Sequence, residues 1–418
     1  MYFVLFWIFT ALTLLRIPFY DLMDWSVFYL QSGRNGDWLA YLLQPHNEHR
    51  LPISRLLIAA DIELFHGSGT PFFVVGAFIF LAILGLLVRE ISVSALPTEL
   101  RLAMIAVVIF CLAGTHLAVL ISVPVLMVFL QTALFCILAI ILLDAHDETR
   151  HPARRAVALA CALLAPFSVS AGFMVWPVLL WVAWRGGLRL PWLLAIALTG
   201  TAEAIGYLPG ISQVPHQPMT VTLISFLHMA DYSIRLLGLP WSRLAALVWF
   251  GRLVGLLCLT VGGWLLVKIS LQAMPPSRLQ RIGAALILLA LLTAAAAGLV
   301  RSDVAPEGEL PIRYSIFAVL AQIGILFAAS NYLKLVYEKR IGRLLAPAMA
   351  ALVVVLLLQQ MVSGFVAVSV VQKFNFEWQR FSAGHWTPEM ERYIYPSRER
   401  AEAALALFRN EDLYSIGP

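Results

Sequence analysis

The run His46-Asn47-Glu48-His49-Arg50, bracketed by Pro45 and Pro52, sets five polar side chains in succession within an otherwise apolar chain. Unpaired polar groups are costly beside an apolar phase, so a carboxylate, two imidazoles and a guanidinium need mutual partners or a ligand. Three chemistries fit. In the first, the run is an exposed turn held by its own ion pairs. In the second, His46, Glu48 and His49 bind a metal, carboxylate and imidazole being suitable ligands, although their spacing differs from the i, i+4 pair of helical zinc motifs. In the third, Glu48 or a nearby Asp is a general base, His46, Asn47 and His49 bind substrate, and Arg50 clasps a phosphate with its planar fork. No metal ligands and no cofactor are assigned, though a divalent cation is compatible with the cluster.

A second acidic feature precedes it. Asp21 and Asp24, three residues apart, share a face if helical. They are either solvated flanking charges or a base and its companion that positions an acceptor or a metal. Asp24 is the preferred base, because Trp25 beside it offers a flat ring for stacking. Further along, His116 sits in the turn Gly114-Thr115-His116, as an interface residue or as part of a site, and Glu203 lies inside an apolar run. Arg301 ends one apolar run, and Arg313 with Tyr314 begins the next. Binding a phosphate or diphosphate is one reason for two cations there; snorkelling to the interface is the other. Arg252, inside another run, needs a partner that the sequence does not identify.

The elements that must position these groups are apolar helices. Of 418 residues, 61% are hydrophobic and 13% charged, and mean hydropathy is +0.85. Soluble domains run to about 45–50% and about 25%, so a disordered chain, a collagen and an ordinary soluble enzyme are excluded. The expected class is an all-α polytopic transmembrane bundle of about eleven spans, near 1–17, 71–88, 102–115, 124–143, 156–167, 172–184, 190–207, 244–267, 282–300, 314–332 and 344–366. The third to sixth are read as short, turning near one interface at Thr115–Pro124 and Pro166–Gly172. The run from Met1 to Ile17 lacks a basic n-region and a cleavage site, and is expected to be a retained span. Cys111, Cys136, Cys161 and Cys258 lie in apolar stretches without ligand-like spacing, as buried bystanders.

Segments 89–101, 144–155, 185–189, 268–281 and 333–343 hold 14 of the 29 Lys and Arg residues, whereas the turns at 115–124 and 166–172 hold none. The positive-inside rule then places the N-terminus in the cytoplasm and the C-terminus outside, and accounts for the net charge of +5 without nucleic acid. Segments 18–70, 208–243, 301–313 and 367–418 fall outside. The division is a bundle over 1–366, with interfacial helices in 18–70, and an outer tail over 367–418. Ser397 to Asn410 reads as an amphipathic helix within a small cap, too short to be an independent enzyme.

This layout resembles the GT-C superfamily of membrane glycosyltransferases: an inside N-terminus, about eleven spans, a long first outer segment with interfacial helices, acidic residues after the first span, and cations at the outer ends of late spans. The resemblance implies sugar transfer from a polyprenyl-phosphate donor to a glycan or lipid acceptor at the outer face. The run His46-Asn47-Glu48-His49-Arg50 also resembles one in bacterial envelope proteins, which points to a bacterial inner membrane and adds no chemistry. The GT-C resemblance implies that Asp21 or Asp24 is the base, with Glu48 as a second acidic position, and that Arg301 or Arg313 holds the lipid phosphate. The chain departs from the superfamily in having no adjacent acidic pair and no large outer domain after the last span. Three other readings stay open: a secondary transporter or lipid-linked-saccharide flippase, for which intramembrane Glu203 and Arg252 would matter, a polysaccharide polymerase or acyltransferase using the same arginines and histidines differently, and a noncatalytic envelope-assembly subunit.

Overall fold

The computed structural model describes residues 2–15, 17–47, 49–144, 152–209, 222–242, 248–301, 311–338 and 342–414. Among these residues the fold is all-helical. Helix α1 (Tyr2–Leu12) leads into three short helices, α2 (Asp21–Phe28), α3 (Trp38–Leu43) and α4 (Pro52–Phe65). There follow α5 (Thr70–Ser92), α6 (Thr98–Leu112), α7 (Thr115–Ser122), α8 (Met127–Leu143), α9 (Pro152–Leu164), α10 (Val175–Arg185) and α11 (Leu190–Tyr207). The second half comprises α12 (Leu223–Leu237), α13 (Val248–Leu271), α14 (Arg278–Arg301), α15 (Ser315–Ala328), α16 (Ser330–Glu338) and α17 (Gly342–Ser382). Helices α18 (Met390–Tyr393) and α19 (Arg398–Asn410) form the tail.

Each apolar run of the sequence contains a helix. Among the described residues, six helices are long and apolar enough to cross a membrane: α5, Pro124–Leu143 (α8 with its leading turn), α11, α13, α14 and α17. The pair α15 and α16, bent by 47°, makes a seventh if it is one span. Helices α1, α6, α9 and α10 have 11 to 15 residues, short of the roughly 20 needed to cross hydrocarbon. Pro124–Leu143, read above as short, is 20 residues long. Leu194, Leu198 and Ile205 of α11, Leu253 and Trp264 of α13 and Phe365 of α17 face outward, exposed. These exposed apolar side chains are compatible with a nonaqueous surrounding, and the apolar helices suggest an integral membrane protein.

Helix α14 and the α8 segment Pro124–Leu143 are the most buried of the long helices, with 67% and 72% of their apolar stretches buried against 22% for α11. Helix α14 packs closely on α15, where two small residues meet. A Cβ at Gly283 would lie 2.4 Å from the Ala328 nitrogen and 2.6 Å from the Gly324 carbonyl oxygen. Small residues let backbones approach in this way. Gly283→Leu is expected to push the two helices apart and lower stability by about 1–3 kcal/mol, read as a lower thermal midpoint in detergent.

Two boundaries differ from expectation. The last long helix runs on through residues 367–382, because that stretch contains no Gly or Pro. It stops where Gly384 takes a φ of 86°. The segment 208–243 is not simply a loop: α12 lies along α14, with the Ser233 hydroxyl donating to the Ala294 carbonyl at 3.0 Å.

The two groups of connecting segments separate to opposite ends. At one end, Glu90 pairs with Arg278 at 2.8 Å and Asp144 with Arg281 at 2.6 Å. Arg278 also reaches Asp144 at 3.4 Å. Arg185 donates to the Gln272 carbonyl, and the Tyr337 hydroxyl to Glu99. These bonds join all five cation-rich segments. At the other end, α2, α4, the 166–172 turn, the start of α15 and the tail come together.

Candidate functional site

The site is built on the first turn of α2. Tyr20 precedes it with a φ of 45°, which brings Asp21 and Asp24 together where the unpaired N–H groups of a helix start favour carboxylates. Leu22, Met23, Trp25 and Ser26 of α2 are buried. The polar run beyond α3 forms a tight turn. His46 and His49 exchange main-chain hydrogen bonds at 2.8 and 3.0 Å, with Asn47 at a φ of 52°, a left-handed conformation that asparagine tolerates. Glu48 lies outside the described residues.

This turn sets His46 against α2. Its Nε2 is 3.3 Å from Asp21 Oδ1, and its ring stands edge-on to Trp25 with centroids 5.6 Å apart. Trp25 therefore packs on His46 and is 3% exposed, which leaves no open face for stacking a ligand. His49 Nδ1 accepts from the Ser170 N–H at 3.3 Å and ties the turn to the 166–172 segment.

The two carboxyl groups are driven in opposite directions. Burial alone would raise Asp21, but the contact and charge of His46, with the charges of Arg313 and His49, hold it below its ordinary value. Burial raises Asp24, the Asp21 charge adds to that, and a hydrogen bond from Tyr395 with the His46 charge opposes it. The Tyr395 hydroxyl donates to Asp24 Oδ1 at 2.6 Å, and Arg400 sits against the same hydroxyl. Paired acids with separated proton affinities are the arrangement from which acid–base roles are assigned. Asp21, Asp24 and His46 also bring one ligand atom each within 4.8 Å of one another. That trio could hold a divalent cation; the His46, Glu48 and His49 set read from sequence includes a residue outside the described ones.

Arg313 lies over the Phe129 ring, 5.8 Å from its centroid, and its charge reaches both Asp21 and the Tyr232 hydroxyl. The charge of Arg301 reaches the same hydroxyl, so both cations gather near one point on α12. The Tyr232 hydroxyl itself is buried and lacks a hydrogen-bond partner among the described residues. Tyr314 is packed edge-on against Phe129 and is buried.

Other expected residues fall elsewhere. Arg50 directs Nε to the Tyr207 carbonyl at 3.1 Å, Nη1 to that of Leu43 and Nη2 to that of Pro209. Its guanidinium ties the first segment to α11 and is taken up by three carbonyl oxygens rather than presented to a phosphate. His116 is the second residue of α7; its side chain lies outside the described residues. Glu203 accepts from Trp176 Nε1 at 2.6 Å on peripheral α11. Arg252 finds its partner in Asp231, at 3.1 Å. Tyr395, Arg400 and Tyr232 were not singled out from sequence. The nearest signal was the aromatic stretch Tyr393-Ile394-Tyr395-Pro396 just before the amphipathic tail helix.

No family model matches this chain, and no curated protein or solved structure matches it.

Proposed function

We propose that the chain is a membrane glycosyltransferase that moves a sugar from a polyprenyl-phosphate donor to an acceptor at the outer face of a bacterial inner membrane. The observation that carries this reading is the α2 turn: one carboxylate faces His46 and Arg313, and the other, with raised proton affinity, faces Tyr395. The reading takes the eleven apolar segments as spans, the short ones completed by their flanking turns, with the cation-rich end in the cytoplasm. It follows the layout resemblance to the GT-C superfamily.

In this reading Asp24 is the base. The acceptor hydroxyl attacks the anomeric carbon, its proton passes to Asp24, and the bond from that carbon to the phosphate oxygen breaks. The polyprenyl phosphate leaves with the electron pair, its charge met by Arg313 and Arg301. Asp21 stays ionised and holds His46 in place.

The test is transfer of radiolabelled sugar from polyprenyl-phosphate-linked donors by the purified protein in nanodiscs. Donor-dependent transfer supports the reading. Absence of transfer from every common donor, with sugar-lipid or ion movement in proteoliposomes, replaces it with transport. Tyr395→Phe gives a finer check. Loss of its hydrogen bond removes an influence that lowers the Asp24 carboxyl, so the acidic limb of the rate profile is expected to move to higher pH. An unmoved limb would separate Asp24 from the proton transfer.

A further inference from the structure

We infer that the groove between α2 and α19 is the acceptor subsite, and that it takes a neutral saccharide. The inference rests on the transferase reading for the role of Asp24, but the binding it describes does not. A cavity of about 550 Å³ separates the two helices, within the roughly 300–1,000 Å³ typical of small-molecule sites. Asp24, Tyr395, Arg400, Gln31 and Asn410 supply its polar groups. Met23, Val27 and Leu407 contribute apolar wall.

The chemistry of the lining selects the ligand. One carboxylate and one guanidinium balance, so the groove offers no net charge to an ionic ligand. Gln31 and Asn410 each carry a donor pair and an acceptor, which suits adjacent hydroxyl groups. The apolar wall suits the C–H face of a pyranose ring. Arg313 and Arg301 interact with Asp21 and Tyr232 instead and do not line the groove. The α2 turn thus divides a cationic flank, fit for a leaving phosphate, from a neutral flank fit for an incoming hydroxyl. Asp24 belongs to the second.

The groove is a fixed part of the fold. Helix α19 buries Ala401, Ala404, Leu405 and Phe408. Beyond it, the Tyr414 hydroxyl is 2.5 Å from that of Ser26, and the Tyr414 N–H donates to the His66 carbonyl at 2.9 Å. Arg34 bridges to Glu411 and, at 3.0 Å, to Glu63.

The test is saturation-transfer NMR on the full chain in nanodiscs with maltotriose, chitobiose and mannotriose, and with a soluble polyprenyl monophosphate as a separate probe. At least one saccharide is expected to bind. Ala403→Trp, which projects an indole into the groove from an exposed position, is expected to abolish that signal and leave polyprenyl phosphate binding intact. Gln31→Ala and Asn410→Ala should each weaken it about 2- to 10-fold, the worth of one hydrogen bond. Binding of none of the three saccharides, or unchanged binding in Ala403→Trp, overturns the inference. Sugar transfer by a wild type that binds no saccharide would leave the transferase standing with a different acceptor subsite. Saccharide binding without transfer from any donor would keep the groove and remove the transferase.

Discussion

Asp24→Asn is expected to reduce sugar transfer by about 10²- to 10⁴-fold, the usual contribution of a positioned general base, and to leave the protein as stable as the wild type or more so. The two halves of the expectation have one cause. Burial, with help from the Asp21 charge, raises the Asp24 carboxyl. A group whose folded value lies above its unfolded value favours folding most at pH below the unfolded value, and that contribution fades as pH rises through the folded value. At neutral pH the ionised form is therefore a cost that asparagine lacks, while the amide oxygen still accepts from Tyr395. Asp21 behaves in the opposite way. Its folded value is lowered, so its contribution is present above the unfolded value and lost as pH falls through the folded one. Asp21→Asn should reduce stability at neutral pH. Rates and thermal midpoints measured on both variants from pH 5 to 8 check this. A less stable Asp24→Asn would contradict the raised Asp24 carboxyl, and one with wild-type transfer would remove Asp24 from the role of base.

The second large effect belongs to the opposite end. Asp144 and Arg281 are each 1% exposed and 2.6 Å apart. Two charges out of water are tolerable only together, since removing one partner leaves the other buried and uncompensated, at a cost of about 3–5 kcal/mol. Arg281→Met is expected near the lower end of that range, because Arg278 still reaches Asp144 at 3.4 Å. The double variant Asp144→Leu with Arg281→Met should recover much of the loss, because it removes both charges and leaves Arg278 with Glu90. Denaturant unfolding of the four proteins in one detergent measures the coupling. Strict additivity would mean that the pair is not coupled. The consequence reaches beyond one bond, because this network is what fastens α5, α8 and α14 at the cation-rich end.

The helices were largely legible in the chain, and the contacts between them were not. Apolar runs bounded by charge or proline locate helices because a backbone in an apolar phase must satisfy its own hydrogen bonds. The same pattern did not mark where α17 ends, because residues 367–382 turn polar without acquiring a helix breaker, and hydropathy falls before helicity does. Asp21, Asp24 and His46 were recognisable as candidates from residue type alone, and the fold does bring them together. Arg50 shows the opposite case. A guanidinium suited to phosphate is equally suited to three carbonyl oxygens, and only the folded position of Tyr207 and Pro209 decides between them. Tyr395 and Arg400 were illegible for a related reason: a phenol far along the chain carries no local mark of the carboxylate that it will meet.

That separation has a consequence for biogenesis. Asp24 and Tyr395 are 371 residues apart, and synthesis at about 5–20 residues per second puts roughly 20 to 75 s between them. In the proposed reading the acid waits at the membrane face while the intervening helices are made, and the groove closes only when the tail emerges. A nascent chain therefore carries its carboxylates early and acquires its proton partner last. Premature termination should yield an inserted but inert bundle, and the protein should become competent in one late step.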